Sequence, residues 1–145
     1  MDIEKSKGEL KKSLGDKRYN HTIQTTEAAI RLAEVYGCDI EKARIAGLLH
    51  DCARSYSTDE QLKMLQVTKY SVVLANVTKI LHGPCGAILA QKDYGIDDED
   101  ILNAIANHTC GRPAMSLLEK IIFIADAIEP GRDFPNVDKL RKTAM

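Results

Sequence analysis

A His-Asp dipeptide, His50-Asp51, ends the apolar stretch of residues 45–49. Imidazole nitrogen and carboxylate oxygen together suit borderline or harder metals such as iron, manganese, cobalt or zinc. Adjacent helical residues diverge by about 100° around the axis, so the two side chains cannot share one helix face, although both can reach an ion beside a helix end. Because a carboxylate has two oxygens, Asp51 could bridge two ions while His50 binds one.

Three further histidines occupy positions from which they could join such a site. His21 lies within the first two turns of a predicted helix, His82 stands at a helix entrance, and His108 stands at a helix end. Taken singly, a histidine at a helix end is more often a cap or a surface group than a metal ligand. The 4 cysteines form no C-x-x-C pair, which argues against a structural zinc knuckle.

Asp126 is the second aspartate with an unusual setting. It follows eight mostly apolar residues in the most apolar predicted helix, and an ionised carboxylate there is costly to bury unless it is paired or bound to a metal. A salt bridge with Lys120 or Arg132 would meet that need as well. The residues alone therefore leave metal ligation and simple ion pairing open for Asp126.

The elements that must position these residues are predicted to be helices, because apolar residues recur at three- and four-residue steps. The N-terminal half is predicted to contain three helices, over residues 2–14, 16–36 and 39–53. Asp16 and Asp39 are the expected N-caps of the second and third. Thr58 with Gln61 forms a capping-box pattern that opens the next helix.

The C-terminal half continues in the same way, apart from residues 71–81. That segment is rich in β-branched residues, yet a lone strand there would have no obvious partner. Ser116 with Glu119 is a second capping-box pattern, and the helix that it opens is apolar on most faces, so we expect it at the centre of a helical bundle. The other helices predicted here cover residues 83–94, 97–107 and 136–142, and the apolar helix opens with residues 117–125 and carries Asp126 near its end.

Composition narrows the class of protein. The 145 residues suffice for one domain with a proper core. Lys and Arg number 20 against 21 Asp and Glu, giving a net charge of -1, so no global attraction to nucleic acid or to an anionic membrane follows. The start of the chain lacks an apolar signal-peptide core, and reduced thiols in a cytoplasmic protein are the default expectation for such widely spaced cysteines.

Five short motifs together resemble those of the HD-domain phosphohydrolases. They are Arg18-x-x-His21, His50-Asp51, His82-Gly83-Pro84, His108-Thr109 and Ile124-Ala125-Asp126. The longer strings at 48–54, 81–84 and 125–132 are similar to the bacterial YqeK-like branch, whose members hydrolyse diadenosine tetraphosphate symmetrically to two ADP. The resemblance runs from about residue 16 to the end of the chain and implies an all-α HD-domain helical bundle.

The resemblance also implies roles for individual residues. The first metal ion would be held by His21, His50, Asp51 and Asp126. His82 and His108 would bind a second metal or contact the substrate phosphates, and Arg18 and Arg132 match positions that bind the phosphates of the nucleotide. Iron is the expected ion, in one or two copies, with manganese or cobalt as alternatives. Residue 54 departs from the family pattern, since Arg stands where Lys is usual.

The expected reaction is hydrolysis of a phosphoanhydride. A metal-held hydroxide, oriented by Asp51 as the catalytic residue, would attack an inner phosphorus so that ADP leaves. Arg18, Arg132 and Arg112 would balance the charge of the phosphates. The partner is thus a small nucleotide, with no nucleic acid and no membrane, and the sequence leaves open whether the chain forms a homodimer.

Two alternatives remain at this stage. The same ligand set serves HD phosphohydrolases that act on another nucleotide or phosphate ester. Relatives in the branch continue with further helix beyond the position of Met145, so we expect residues 1–145 to be a single HD domain without those C-terminal helices. Such a domain could also be a nucleotide-binding module with little turnover.

Overall fold

The computed structural model describes residues 1–65 and 78–145. The described residues form eight α-helices and a short 3-10 turn at Thr78–Ile80. The helices are α1 (Ile3–Leu14), α2 (Asp16–Tyr36), α3 (Ile40–Leu49), α4 (Thr58–Leu65), α5 (His82–Tyr94), α6 (Glu99–Ala106), α7 (Leu117–Ile128) and α8 (Val137–Ala144). No strand occurs within these two ranges, and the prediction of an all-α fold is confirmed. Most of the ambiguous segment 71–81 lies outside the described residues.

Several helix ends follow the predicted caps. Asp39 accepts a hydrogen bond from the backbone N–H of Lys42 at the start of α3, and Ser116 and Glu119 form the predicted capping box of α7. Asp16 is not a cap, however, because α2 already includes it and the residue before it is a glycine with φ 76°. Such a backbone angle suits glycine, and Asp16 contributes negative charge to the first turn instead.

The capping box of α4 lies one residue earlier than predicted. Ser57 and Glu60 exchange the two bonds, with Ser57 N–H donating to the Glu60 carboxylate at 2.7 Å and Glu60 N–H donating to the Ser57 hydroxyl at 3.2 Å. Gln61 cannot serve as the box residue because its amide is buried and donates to the carbonyls of Ala53 and Tyr56. Both residue pairs satisfy the capping-box pattern, and burial decides between them.

α3 ends at Leu49 rather than continuing through Ala53, and the reason is a side chain. Nδ1 of His50 donates to the carbonyl of Gly47 at 2.6 Å, a backbone acceptor that the next helical turn would otherwise use. The chain then follows short turns, with Cys52 N–H donating to the carbonyl of Leu49. The same residue that could bind a metal therefore stops the helix and turns Asp51 out of it.

The core lies where α2, α3, α6 and α7 meet. Its largest fully buried apolar side chains include Leu48, Leu49, Ile105, Leu118 and Ile122. Burying such side chains is the main source of stability, at about 1.5–3 kcal/mol each. None of the helices in the described ranges is both long and apolar enough to cross a lipid bilayer.

Two glycines allow the close helix approaches that bring the histidines together. An ideal Cβ at Gly47 of α3 would lie 2.9 Å from Cα of Thr26 in α2, and one at Gly83 of α5 would lie 2.6 Å from the carbonyl oxygen of Ala106 in α6. Real Cβ atoms are essentially never this close to backbone. The first approach places α2 beside the end of α3, and the second places the start of α5 beside the end of α6.

The short helix α8 is held by its own arginine. Arg141 donates to the backbone carbonyls of Ile128, Glu129 and Arg132 at 2.7–2.9 Å. A helix of about two turns is marginal unless it is packed, and these bonds anchor it. They also fix the chain segment that follows α7, which carries Glu129 and Arg132.

Candidate metal centre

All six predicted ligands come together at one place. Nε2 of His21 lies 3.0 Å from Oδ1 of Asp126 and 3.4 Å from Nε2 of His50. On the other side, Nε2 of His82 lies 3.1 Å from Nε2 of His108. The cluster thus draws on α2, α5 and α7 and on the turns that follow α3 and α6.

Asp51 occupies the middle of the cluster. Its Oδ2 lies 3.5 Å from Nε2 of His50 and 3.6 Å from Nε2 of His21, while its Oδ1 lies 3.3 Å from Nε2 of His82 and 3.4 Å from Nε2 of His108. Each oxygen therefore faces a different pair of imidazoles. Two overlapping groups have ligand atoms mutually within 4.8 Å, namely His21–His50–Asp126 and His50–Asp51–His108.

Backbone carbonyls set the tautomers of two of the histidines. Nδ1 of His50 is 2.6 Å from the carbonyl of Gly47, and Nδ1 of His108 is 2.7 Å from the carbonyl of Ile105. A carbonyl oxygen only accepts, so each Nδ1 carries a proton, and in the neutral imidazole each Nε2 keeps its lone pair. Each of these histidines lies just after a helix, and its Nδ1 bonds the carbonyl three residues earlier. This contact turns the Nε2 side of each ring toward the cluster.

Glu129 likewise orients the ring of His21, and it was not among the residues that the sequence predicts for the site. Its carboxylate is 3% exposed, accepts a hydrogen bond from Nδ1 of His21 at 3.3 Å and accepts another from Gly131 N–H at 2.7 Å. A Cβ at Gly131 would lie 3.0 Å from the same carboxylate. The available signal was spacing, since Asp126 and Glu129 are three residues apart and therefore share a helix face.

The imidazole nitrogens of the cluster converge as metal ligands do. Nδ1 of His50 and Nδ1 of His21 both face oxygen acceptors. In neutral imidazoles the two Nε2 lone pairs then face each other at 3.4 Å, an arrangement that a cation between them stabilises. Nitrogen and oxygen donors without a thiolate match iron, manganese or cobalt better than a structural zinc site. The residues present thus fit a divalent metal ion.

The ionisation states suit this use. Burial acts to raise the pKa of Asp51 and of Asp126, but the surrounding imidazoles outweigh it and hold both pKa values well below the usual range. Burial lowers the pKa of His50 and of His82, which favours the neutral form. For His108, burial is outweighed by its hydrogen bond to Asp51, and the pKa is raised. The carboxylates are therefore ionised as ligands must be.

The two arginines predicted to bind phosphate lie at the cluster. Arg18 donates to Oδ2 of Asp51 at 3.0 Å, and Arg132 donates to Oδ1 of Asp126 at 2.7 Å. Asp126 therefore forms the ion pair with Arg132 that the sequence left open, while also contacting His21. A cavity of about 480 Å³ opens beside them and is lined on its polar side by Lys17, Arg18, Asn20, Gln24 and Arg132.

Arg112 is paired with a buried carboxylate, and its expected contact with phosphates stays a prediction. Its guanidinium donates two hydrogen bonds to the carboxylate of Glu119, at 2.9 and 2.6 Å. Glu119 is only 1% exposed, and an ionised carboxylate at such depth requires a charged partner. The pair lowers the pKa of Glu119 and fixes the plane of the guanidinium.

Comparison with known proteins places the chain in a family. The family model of the HD domain matches residues 18–131. The symmetrical bis(5'-nucleosyl)-tetraphosphatase of Staphylococcus aureus is 46% identical over 148 residues, covering 99% of this chain and 75% of the relative. The enzyme of the same name from Bacillus subtilis is 43% identical over 145 residues, covering 99% of this chain and 78% of the relative.

A solved structure gives the same result. The crystal structure of a Clostridium acetobutylicum protein, described as a predicted HD superfamily hydrolase involved in NAD metabolism, is 49% identical. It superposes with a TM-score of 0.96 over 99% of this chain and 77% of that chain. The matched range 18–131 contains all six residues of the cluster. The chain therefore belongs to the HD domain family, in the branch of the symmetrical bis(5'-nucleosyl)-tetraphosphatases.

Proposed function

We propose that the chain is a metal-dependent hydrolase that converts diadenosine tetraphosphate and water into two ADP. The observation that carries the proposal is the position of Asp51, whose two oxygens face two different pairs of imidazole nitrogens. The adjoining arginines provide the positive charge that a chain of four phosphates requires. The names and the 43–46% identity of the relatives support the choice of substrate.

In this proposal the first ion would be held by His21, His50, Asp51 and Asp126. His82 and His108 would hold a second ion, together with Asp51, or would contact the phosphates. Iron is the proposed ion, with manganese or cobalt as substitutes. When bound, the metal supplies a water molecule of lowered pKa and positive charge beside the phosphoryl oxygens.

The residues of the chain position the reactants. Asp51 is the catalytic residue: its carboxylate orients the attacking water toward one of the two inner phosphorus atoms. A bond forms between the water oxygen and that phosphorus, and the bond from the same phosphorus to the central bridging oxygen breaks. Both halves leave as ADP, one carrying the oxygen of the water and the other the central bridging oxygen. Arg18 and Arg132 exchange their carboxylate partners for phosphate oxygens, which guanidinium groups bind well as planar forks.

The first experiment measures products and their dependence on Asp51. The purified chain with ferrous or manganous ion should release ADP alone, without ATP or AMP. Asp51→Ala should lower the rate by about a hundredfold or more, since even residues behind metal ligands contribute about 10–100-fold. Asp59→Ala, at an exposed aspartate on α4, is the matched control and should retain the parental rate.

Other products or the absence of turnover would decide against the proposal. Release of ATP and AMP would exclude symmetrical cleavage. Turnover of a different nucleotide but not of diadenosine tetraphosphate would indicate another HD phosphohydrolase. A rise in melting temperature with ADP but no turnover would favour a nucleotide-binding module.

The identity of the ion requires its own measurement. Elemental analysis of protein purified without oxygen should find iron, at one or two ions per chain. The His82→Ala variant should lose the second equivalent if two are present. A manganese or cobalt content that exceeds iron would contradict the proposed ion without affecting the proposed reaction.

A further inference from the structure

A second cavity, of about 460 Å³, lies between α5 and α6. Its walls are mainly apolar and include Ile80, Pro84, Ala87, Ile88 and Leu102. The volume falls within the about 300–1,000 Å³ of small-molecule sites, which are likewise apolar with a few polar groups. We call this cavity the α5–α6 cleft.

The α5–α6 cleft adjoins one end of the histidine cluster. Thr109 lines it, and the hydroxyl of Thr109 lies 3.4 Å from Nε2 of His82. The cavity with Lys17 and Arg132 adjoins the opposite end, since His21 lines it. A ligand centred on Asp51 can therefore extend into both.

The two cavities differ in charge. Three cations, Lys17, Arg18 and Arg132, and one carboxylate, Glu129, line the first. The only cation among the described residues of the α5–α6 cleft is Arg112, and the buried carboxylate of Glu119 balances its charge. The cleft therefore offers phosphate little electrostatic attraction and suits an uncharged, flat, largely apolar group.

One polar side chain in the α5–α6 cleft is suited to a purine. Asn103 lines it, and in the described part of the chain no hydrogen bond engages its side-chain amide. An asparagine amide can pair with adenine in a bidentate manner, accepting from the 6-amino group and donating to N7. The planar guanidinium of Arg112, fixed by Glu119, lies in the same wall and belongs to a group that stacks on bases.

We propose that the α5–α6 cleft binds one adenine base of the dinucleotide, while the phosphates cross the metal centre toward the cavity of Lys17 and Arg132. The inference rests on the proposed function, in which the substrate carries a nucleoside at each end of four phosphates. Symmetrical cleavage requires the protein to hold both halves of the dinucleotide, one on each side of the central bridging oxygen. The cleft gives one half an apolar site on the His82 side.

Filling the cleft tests the proposal by kinetics. Ala87 is half-buried in its wall, and Ala87→Phe would occupy the volume assigned to the base. The KM for diadenosine tetraphosphate should rise by about tenfold or more, the scale of one lost pocket contact, because base binding contributes equally to ground and transition states. Asn103→Ala should also raise the KM, because it removes the proposed hydrogen bonds to the base without filling the cleft.

The matched control is Ala144→Phe. Ala144 is also half-buried and lines a different apolar groove, formed with Leu32, Leu117 and Ile121. The KM of Ala144→Phe for diadenosine tetraphosphate should equal that of the parent. Melting temperatures of all variants show whether each one folds, and an unchanged KM in folded Ala87→Phe and Asn103→Ala would overturn the proposal.

A binding measurement separates this inference from the proposed function. Adenosine alone, added to the labelled parent protein, should shift the amide resonances of Leu102, Asn103 and Cys110 and should not do so in Ala87→Phe. Shifts confined to Lys17 and Gln24, or no shifts, would place the base elsewhere and overturn the inference. If adenosine shifts the cleft resonances but the parent does not hydrolyse the dinucleotide, the proposed function fails and the cleft remains a nucleoside site.

Discussion

At the scale of the residue, the energetics of Asp51 explain why the site is crowded with donors. Its carboxylate is 2% exposed, and an ionised group at that depth costs several kcal/mol unless it is compensated. Arg18 and four imidazoles provide the compensation within 3.6 Å. A divalent ion would take over that role and release Arg18 for substrate.

Glu129 should control the affinity for metal through His21. Glu129→Gln keeps an acceptor for Nδ1 of His21 but removes the negative charge that makes the imidazole a stronger base. Metal affinity should fall by about 10–100-fold, as for other carboxylates behind metal-binding histidines. Competition with a chromophoric chelator measures this directly, without relying on turnover.

A matched substitution distinguishes positioning from general stability. Glu27 is exposed on α2, so Glu27→Gln should leave the metal affinity unchanged. Added metal at saturating concentration should restore most of the kcat of Glu129→Gln, because the residue does not touch the reacting atoms. Equal affinities of the parent and Glu129→Gln would refute this role.

The residue scale also shows what the sequence could reveal. Asp126 was identifiable because a carboxylate in an apolar helix demands a partner. Glu129 gave only the weak signal of its spacing from Asp126, since its contact with His21 depends on the turn at Gly131, whose N–H donates to the carboxylate. The partner of Arg112 could not be read from the sequence either, because its pairing with Glu119 depends on the burial of that carboxylate.

At the scale of the element, the sequence predicts which segments form helices better than it predicts the residues at which those helices begin and end. Periodicity determines which face of a helix is buried, and this signal is spread over many residues. An end depends on one or two bonds, and neighbouring residues often compete to make them. At α4, Ser57 and Thr58 both fit a capping box, and only the burial of Gln61 selects Ser57.

Two glycine substitutions should have opposite effects on stability. Gly83→Ala places a methyl group 2.6 Å from the carbonyl of Ala106, so α5 and α6 must separate, at a cost of about 1–3 kcal/mol. Gly8 lies in α1 with nothing within 4 Å of its added Cβ. Gly8→Ala should therefore stabilise the protein by about 0.5–1 kcal/mol. Urea unfolding measures both.

The same two glycine substitutions test whether the close approach of α5 and α6 is needed to assemble the metal centre. Separation of α5 from α6 moves His82 away from His108, so Gly83→Ala should also bind less metal per chain than the parent, while Gly8→Ala should bind the same amount. Metal content unchanged in Gly83→Ala would show that the close approach is not needed to assemble the cluster.

At the scale of the whole molecule, the metal centre joins parts of the chain that are distant in sequence. Its candidate ligands come from residues 21, 50, 51, 82, 108 and 126, and no single helix supplies more than one of them. Sequence patterns predicted each local setting but could not give their common meeting point, which depends on how α2, α3, α6 and α7 pack. Only the family motifs linked them beforehand.

Metal removal should therefore lower global stability. An ion that binds only the folded state stabilises it by about 2.7 kcal/mol at a concentration one hundred times its dissociation constant. For a chain of this size about 1 kcal/mol corresponds to roughly 2–4 °C in melting temperature. Chelation should lower the melting temperature by several degrees, and manganese or ferrous ion should restore it.

The control for this effect is a variant that cannot hold the metal ion. Asp51→Asn has nearly the same volume but lacks the charge that holds an ion between the imidazoles, so its melting temperature should not respond to chelator or to added metal. Asp59→Asn, at an exposed position, should respond as the parent does. An ion that is coordinated only by the folded state must raise the melting temperature. If the parent melts at the same temperature with and without metal, the ligands from these five segments do not bind an ion together.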